Sequence, residues 1–421
     1  MQRRTLIKKS IAGLAGLSLL DVADKKELMA QTNALTDEMQ KAEKDGSFWR
    51  LVKTQFPLKD GLHYFNNASL GPSPNYVVSA VDKFRDILES YPSKYMWGGW
   101  SDEKEKVRSK AAHLMGVSNE EIALIHNTTE GMNLVASSLD LKPGDEVILS
   151  NHEHPSGTIP WKYWQETKGI KLIRPELPIL PNNKEEIVNL YKKAISKKTK
   201  AISMVHITNT NGMIMPIKEI STMARENGIL TAVDGAQSAG AINFSLKELG
   251  CDFYAASSHK WLFSPKGIGI FYARKDAQQH LKPLIVAHGY ETTSIRRLEN
   301  YNTRNLPELL GLGASLDYHQ LIGAKRKEAR LYELKQYFLD LIKQEKSLVL
   351  KTPENNDLSA GIITVEAKNG KPVRETAKLL DEKDVNLRPM DGFGLNGLRV
   401  SLSVFNLKED IDYLVKSILE V

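Results

Sequence analysis

A single cysteine, Cys251, stands in 421 residues. One thiol cannot build an intrachain disulfide framework or a cysteine-clustered zinc site, so the redox compartment is not written in the cysteines. Long apolar runs are missing too. The charge-free stretch of residues 11–20 is too short to span a bilayer, and no stable membrane insertion is expected. Charge of one sign is scarce: the formal net charge is +6, and residues 1–30 hold six basic residues against three acids, which leaves +3 for the rest. So mild and even a balance gives no electrostatic footprint for a nucleic-acid partner. No G-x-G-x-x-G follows an early strand, which argues against a dinucleotide-binding enzyme. Internal repeats and low-complexity segments are absent. What is present is 41% hydrophobic residues, enough for one large α/β domain with a smaller one, or for two comparable domains.

The N-terminus reads Gln2-Arg3-Arg4-Thr5-Leu6-Ile7-Lys8-Lys9 ahead of the apolar stretch. Paired arginines before a short, glycine-containing apolar run read as a twin-arginine export signal covering residues 1–30, with cleavage near Ala23 or Ala30. That reading places the protein in the periplasm, delivered by the twin-arginine machinery. A basic amphipathic helix is the other reading, and it leaves the protein in the cytoplasm.

From about residue 60 strand-like and helix-periodic segments alternate. Strands are expected at 122–126, 146–150, 170–173, 201–206, 229–233, 252–256 and 267–272, and helices at 130–139, 158–167, 184–195 and 217–227. This rhythm predicts a mainly parallel seven-stranded sheet covered on both faces. After residue 306 a long helical region runs through residue 341. Strand-like 361–365 and 398–402 then bracket a helix at 373–382, and 408–419 forms a last helix. The domain reading is a segment 31–75 that packs on the small domain, a large domain 76–305, and a long helix with a small α+β domain over 306–421.

Ligands of such sheets sit beyond the carboxyl ends of the strands. Asp234-Gly235-Ala236-Gln237 ends one apolar strand. A carboxylate there can pair with a cationic heterocycle, bind a metal ion or cap a helix. Ser257-Ser258-His259-Lys260-Trp261 follows the next strand. A lysine on a turn between buried strands is either solvated at the surface or neutralised, and a Schiff base is one neutral use.

An Asp-x-x-Gln after one strand and a Ser-x-His-Lys after the next resemble the pyridoxal-phosphate signature of the class V aminotransferase family, which includes cysteine desulfurases, selenocysteine lyases and isopenicillin-N-epimerase-like enzymes. The resemblance runs from about Tyr64 to the C-terminus. It implies a fold-type-I enzyme whose cofactor, pyridoxal 5'-phosphate, is held as a Schiff base on Lys260. Lys260 would shuttle the Cα proton of an amino-acid substrate, Asp234 would pair with the protonated ring nitrogen, and Gln237 would contact the ring hydroxyl. Other matching segments carry further roles. Thr128 and Thr129, in Asn127-Thr128-Thr129-Glu130-Gly131, would bind the cofactor phosphate at a helix N-terminus, and Ser257 and His259 would complete that cup. His154, in Glu153-His154-Pro155, would stack on the ring, and Asn209 would lie near its hydroxyl. Arg399, in Leu398-Arg399-Val400-Ser401-Leu402, would clamp the substrate carboxylate with its planar fork. Asn67, beside Asn66 and Ala68, resembles the family's substrate-side segment. Thr303, in Tyr301-Asn302-Thr303-Arg304-Asn305, would reach the partner's cofactor phosphate in a homodimer. A tightly held cofactor suits the twin-arginine route, which carries folded proteins.

Departures narrow the chemistry. Desulfurases place a mobile cysteine in the loop before the C-terminal arginine, because a thiolate attacks the substrate sulfur. Here that loop, Arg388-Pro389-Met390-Asp391-Gly392-Phe393-Gly394, holds none, and Cys251 at the head of a strand reads as a buried apolar thiol. The wording around Thr303 is closer to the epimerase-like members. Epimerase or aminotransferase chemistry is therefore the leading expectation. A carbon–sulfur or carbon–selenium lyase without a persulfide cysteine is the alternative, and a silent cofactor-binding protein the second.

Overall fold

The computed structural model describes residues 22–421. The arginine pair Arg3-Arg4 and the apolar run behind it lie outside the described residues. A two-residue strand β1 (His63–Tyr64) precedes seven strands: β2 (Ile122–Ile125), β3 (Glu146–Leu149), β4 (Lys171–Ile173), β5 (Thr199–Val205), β6 (Leu230–Asp234), β7 (Phe253–Ser257) and β8 (Gly269–Ala273). These seven form one sheet in the order β2-β8-β7-β6-β5-β3-β4. Only β8 runs against the others, pairing antiparallel with β2 and β7. Strands buried on both faces need apolar residues at every position rather than alternation. β2, written Ile-Ala-Leu-Ile, and β7, written Phe-Tyr-Ala-Ala-Ser, are buried throughout.

Most of the longer helices in and ahead of this domain close the sheet. Leading the chain are α1 (Val22–Asp45) and α2 (Phe48–Thr54), then α3 (Asn75–Ser90), α4 (Ser101–Met115), α5 (Thr128–Ser138), α6 (Pro155–Lys168), α7 (Lys184–Ala194), α8 (Ile217–Glu226) and α9 (Leu306–Ile322). One face of the sheet is covered by Phe84 of α3, Val107 of α4, Ile187 of α7, Ile220 of α8 and Leu312 of α9. The other lies under Met132 and Val135 of α5 and Trp161 of α6. At Gly131 an added Cβ would stand 2.5 Å from that of Ala255; the missing side chain lets α5 settle close to β7, which fixes its N-terminus at the strand ends.

The C-terminal part holds α10 (Ala324–Ile342), β9 (Leu348–Leu350), β10 (Ile362–Ala367), α11 (Val373–Asp381), β11 (Val385–Asn386), β12 (Arg388–Met390), β13 (Gly397–Ser401) and α12 (Lys408–Glu420). An antiparallel sheet, β12-β13-β10-β9, packs its apolar face on α10, α11 and α12. β1 pairs with β11, and the Ser401 amide donates to the Phe65 carbonyl at 2.8 Å. Leu35 and Met39 of α1 and Val52 of α2 share one apolar cluster with Tyr318, Ile322 and Phe405.

Local features differ from what periodicity predicts, the short strands β9, β11 and β12 among them. The helical region after residue 306 is two helices, broken at Gly323, whose φ of 90° and ψ of 124° no helix accommodates. β12 escaped the sequence reading because Pro389 lacks a ladder donor; the strand survives at the edge of its sheet. No helix among the described residues is long and apolar enough to cross a membrane.

Candidate active site

Five chain segments leave the carboxyl ends of neighbouring strands of the large sheet and converge: Thr128 after β2, His154 after β3, Asn209 after β5, Asp234 ending β6, and Lys260 after β7. In a parallel sheet those ends are the place for a ligand. Loops from the N-terminal segment and the small sheet close over them.

Lys260 is half-buried and bonds to no carboxylate among the described residues. Burial pulls its amine down to about 8; the nearby Asp234 carboxylate opposes the shift, and the Arg399 and Arg388 guanidiniums add to it. The surrounding turn is held from outside: the Gly71 amide donates to the His259 carbonyl at 2.9 Å, and the Asn67 amide group faces the Lys260 carbonyl at 3.5 Å. Glycine is needed at position 71, because a Cβ would stand 2.2 Å from the Lys260 carbonyl oxygen. A neutral amine is the nucleophile toward a carbonyl carbon. The rate at which the apo protein captures an aldehyde on Lys260 is therefore expected to climb with pH to a plateau above about 8. A stopped-flow pH profile checks this; a midpoint at the ordinary lysine value of 10.5 would contradict it.

Asp234 is buried, and one carboxylate oxygen accepts the Ala236 amide at 2.9 Å. Burial pushes its pKa up, while the Ala236 bond and the Lys260 charge restrain it. Behind it lies Glu153, pushed up to about 8 by burial, with the Asp234 charge adding. One Glu153 oxygen accepts the Ser150 hydroxyl at 2.8 Å and the Val205 amide at 3.2 Å. His154 caps α6, its Nδ1 accepting the Ser156 amide at 3.2 Å. Burial first, then the charges of Lys260, Arg388 and Arg399, hold its imidazole down at about 4, so the ring is neutral. His259 is likewise pulled to about 4 by burial and by Lys260 and Lys266.

Gln237 is engaged at both ends: its nitrogen donates to the Ala68 carbonyl and its oxygen accepts the Trp261 indole N–H, each at 2.8 Å. Ser257 Oγ lies 2.9 Å from Thr128 Oγ1 and accepts the Thr128 amide at 2.9 Å. Thr129 is exposed on the first turn of α5, which Asn127 caps by accepting the Glu130 amide at 3.0 Å. Thr303 is exposed as well; nearby Tyr301 donates its hydroxyl to the Glu130 carboxylate. The two expected phosphate-side segments are thus linked.

Arg399 of β13 is 1% exposed. It donates to the Asn209 carbonyl at 3.0 Å, Asn66 Oδ1 at 3.1 Å and Ser69 Oγ at 2.6 Å. Burial and then Arg388 bring its guanidinium down to about 9. Arg388 is its cross-strand register partner on β12. Like charges directly opposite repel, so an anion between the two guanidiniums would relieve that repulsion. Asn66, Ser69 and Arg388 were not singled out from sequence as a set; strand register and loop folding bring them together, and no spacing encodes that.

Several polar atoms here are buried without a partner among the described residues: Asn67 Oδ1, Asn209 Oδ1, Ser258 Oγ, His259 Nδ1 and Arg399 Nε. Such atoms cost free energy unless a ligand or water meets them. With a lysine of lowered proton affinity, a buried carboxylate and a capped helix N-terminus, this donor and acceptor set fits pyridoxal phosphate. Lys260 would bind its aldehyde carbon, Asp234 its ring nitrogen, and α5 with Ser257 its phosphate.

Residues 63–414 match the family described as Aminotransferase class-V. The chain is 31% identical over 408 residues to a probable cysteine desulfurase of Halalkalibacterium halodurans, with 87% of this chain and 96% of that protein covered. It is 29% identical over 387 residues to isopenicillin N epimerase of Streptomyces clavuligerus, covering 88% and 97%. The apo structure of a cysteine desulfurase from Thermococcus onnurineus NA1 superposes with a TM-score of 0.79 at 27% identity, covering 88% and 96%. The chain therefore belongs to the class V aminotransferase family and is an enzyme whose cofactor is pyridoxal 5'-phosphate.

Proposed function

We propose that Lys260 removes the proton from Cα of an amino-acid substrate whose carboxylate Arg399 holds, with epimerisation or transamination as the outcome. The observation that carries this reading is a lysine amine with proton affinity lowered to about 8, electrostatically coupled to a buried arginine fork. A general base works best when its pKa lies near the working pH. Pyridoxal phosphate, when bound, supplies an electron sink for the charge left at Cα. Asp234 would hold the ring nitrogen in its charged form, and neutral His154 would pack on the ring without adding charge.

A second reading is direct elimination at Cβ of a cysteine-type substrate, favoured by the desulfurase names among the relatives. Elimination needs the same Cα proton removal. An enzyme persulfide is not part of it: the β12–β13 loop has no cysteine, and burial holds the Cys251 thiol far above its usual range. Incubation with L- and D-amino acids, with and without a second 2-oxo acid as amino acceptor, read by chiral chromatography with parallel 2-oxo acid and sulfide assays, separates the outcomes. The leading reading predicts the opposite enantiomer or a 2-oxo acid that keeps its carbon skeleton. Pyruvate with sulfide supports elimination, and no turnover of any amino acid sinks both. Export by the twin-arginine route and a homodimer in which Thr303 reaches the partner's site complete the proposal. Cell fractionation and sedimentation check them.

A further inference from the structure

Lys327 lies one turn into α10 and is 1% exposed. Its amine donates to the Trp261 carbonyl and stands 4.1 Å from the centre of the Phe263 ring. No carboxylate pairs with it among the described residues. Burial alone pushes its pKa well below the ordinary lysine value, and a basic group near it, His319, is also buried, with both ring nitrogens unpartnered among the described residues. A buried amine without a counter-charge is costly, and an apolar side chain of similar length would fill the space without that cost. What the amine adds is a hydrogen-bond donor aimed at one carbonyl.

That carbonyl belongs to the residue after Lys260. Three successive carbonyls of the turn face donors from elsewhere: His259 takes the Gly71 amide, Lys260 faces Asn67, and Trp261 takes Lys327. The Trp261 side chain is tied separately, through its indole N–H to Gln237. Two residues further on, Phe263 has a φ of 59°, left-handed backbone that a bulky side chain adopts only when its surroundings impose it. The Lys327 amine lies against that ring. α10 also carries Leu331, which packs with Trp261, and Leu334 and Phe338 of the small-sheet core.

We propose that Lys327 is a positioning residue for Lys260, its amine pinning the Trp261 carbonyl so that a helix of the C-terminal region fixes the turn that presents the reactive lysine. The proposal rests on the assignment of Lys260 as the cofactor-binding lysine. The test compares wild-type protein with K327M and K327Q, which match the stem but lack a donor at full reach. Three quantities are read: the rate at which apo protein captures added pyridoxal phosphate into its visible absorbance band, kcat against KM, and thermal unfolding of the apo form. Capture and kcat are expected to fall roughly ten- to a hundredfold, as a displaced reactive group allows, with KM unchanged and melting preserved in whichever variant stays folded. Wild-type capture and kcat in a folded variant would overturn the proposal. Loss of the folded state in both variants would assign Lys327 to stability and overturn it equally. Wild-type protein that captures no cofactor would count against the Lys260 assignment itself, a different failure.

Discussion

Replacing Lys260 with alanine is expected to lower turnover by at least about 10³-fold, the scale of a lost proton-transfer group that is also the covalent attachment point. The visible band of the lysine-bound cofactor should disappear with it. Folding should not suffer. The Lys260 pKa falls from 10.5 to about 8 on folding, so the unfolded chain binds more protons between those values. Stability of the apo form therefore rises with pH through that window, and below about 8 the protonated amine is a burden on the folded state. Apo K260A should accordingly melt no lower than wild type at pH 7, by calorimetry. A K260A protein that keeps both its band and its turnover would remove Lys260 from the chemistry.

Replacing Arg399 with alanine is expected to raise KM for the amino-acid substrate about a hundredfold, the equivalent of roughly 3 kcal/mol from charge-assisted hydrogen bonds to a carboxylate. The cofactor band should persist, which separates substrate binding from cofactor binding. The same change frees Asn66, Ser69 and the Asn209 carbonyl from their shared donor, so part of the loss reflects loosened loops. R399K tests geometry rather than charge. One ammonium cannot reach three acceptors and a carboxylate in one plane, so R399K should lie nearer to R399A than to wild type. Steady-state kinetics with the absorbance spectrum decides; an unchanged KM in R399A would place the carboxylate elsewhere.

Much of this architecture was legible because parallel strands and their helices write strong local signals. The seven strands of the large sheet lie within two residues of where apolar runs put them, since turn residues bound the runs and four of them, β2 to β5, are followed by a periodic helix. The carboxyl ends of those strands and the segments just after them hold Thr128, His154, Asn209, Asp234 and Lys260, so chain order alone brought them to one edge. Contacts that depend on packing between distant segments were not legible. Arg399 meets Asn66 and Ser69 across more than three hundred residues, and Arg388 faces it only through strand register. Lys327 reads in sequence as one more cation in the basic run Lys325-Arg326-Lys327; only the tertiary fold turns its side chain inward. The break at Gly323 was hidden because apolar periodicity continues on both sides of it.

The enzyme's proposed chemistry begins with removal of one proton from Cα, and deuterium exchange reads that event whatever product follows. Purified holo-protein would be incubated in D₂O with a panel of L- and D-amino acids, and the Cα–H signal followed by NMR, with K260A alongside. Loss of the Cα–H signal for at least one amino acid, dependent on Lys260, is the expected result. Retention of that signal throughout the panel, by protein that carries its full complement of cofactor, would contradict Cα chemistry on amino acids.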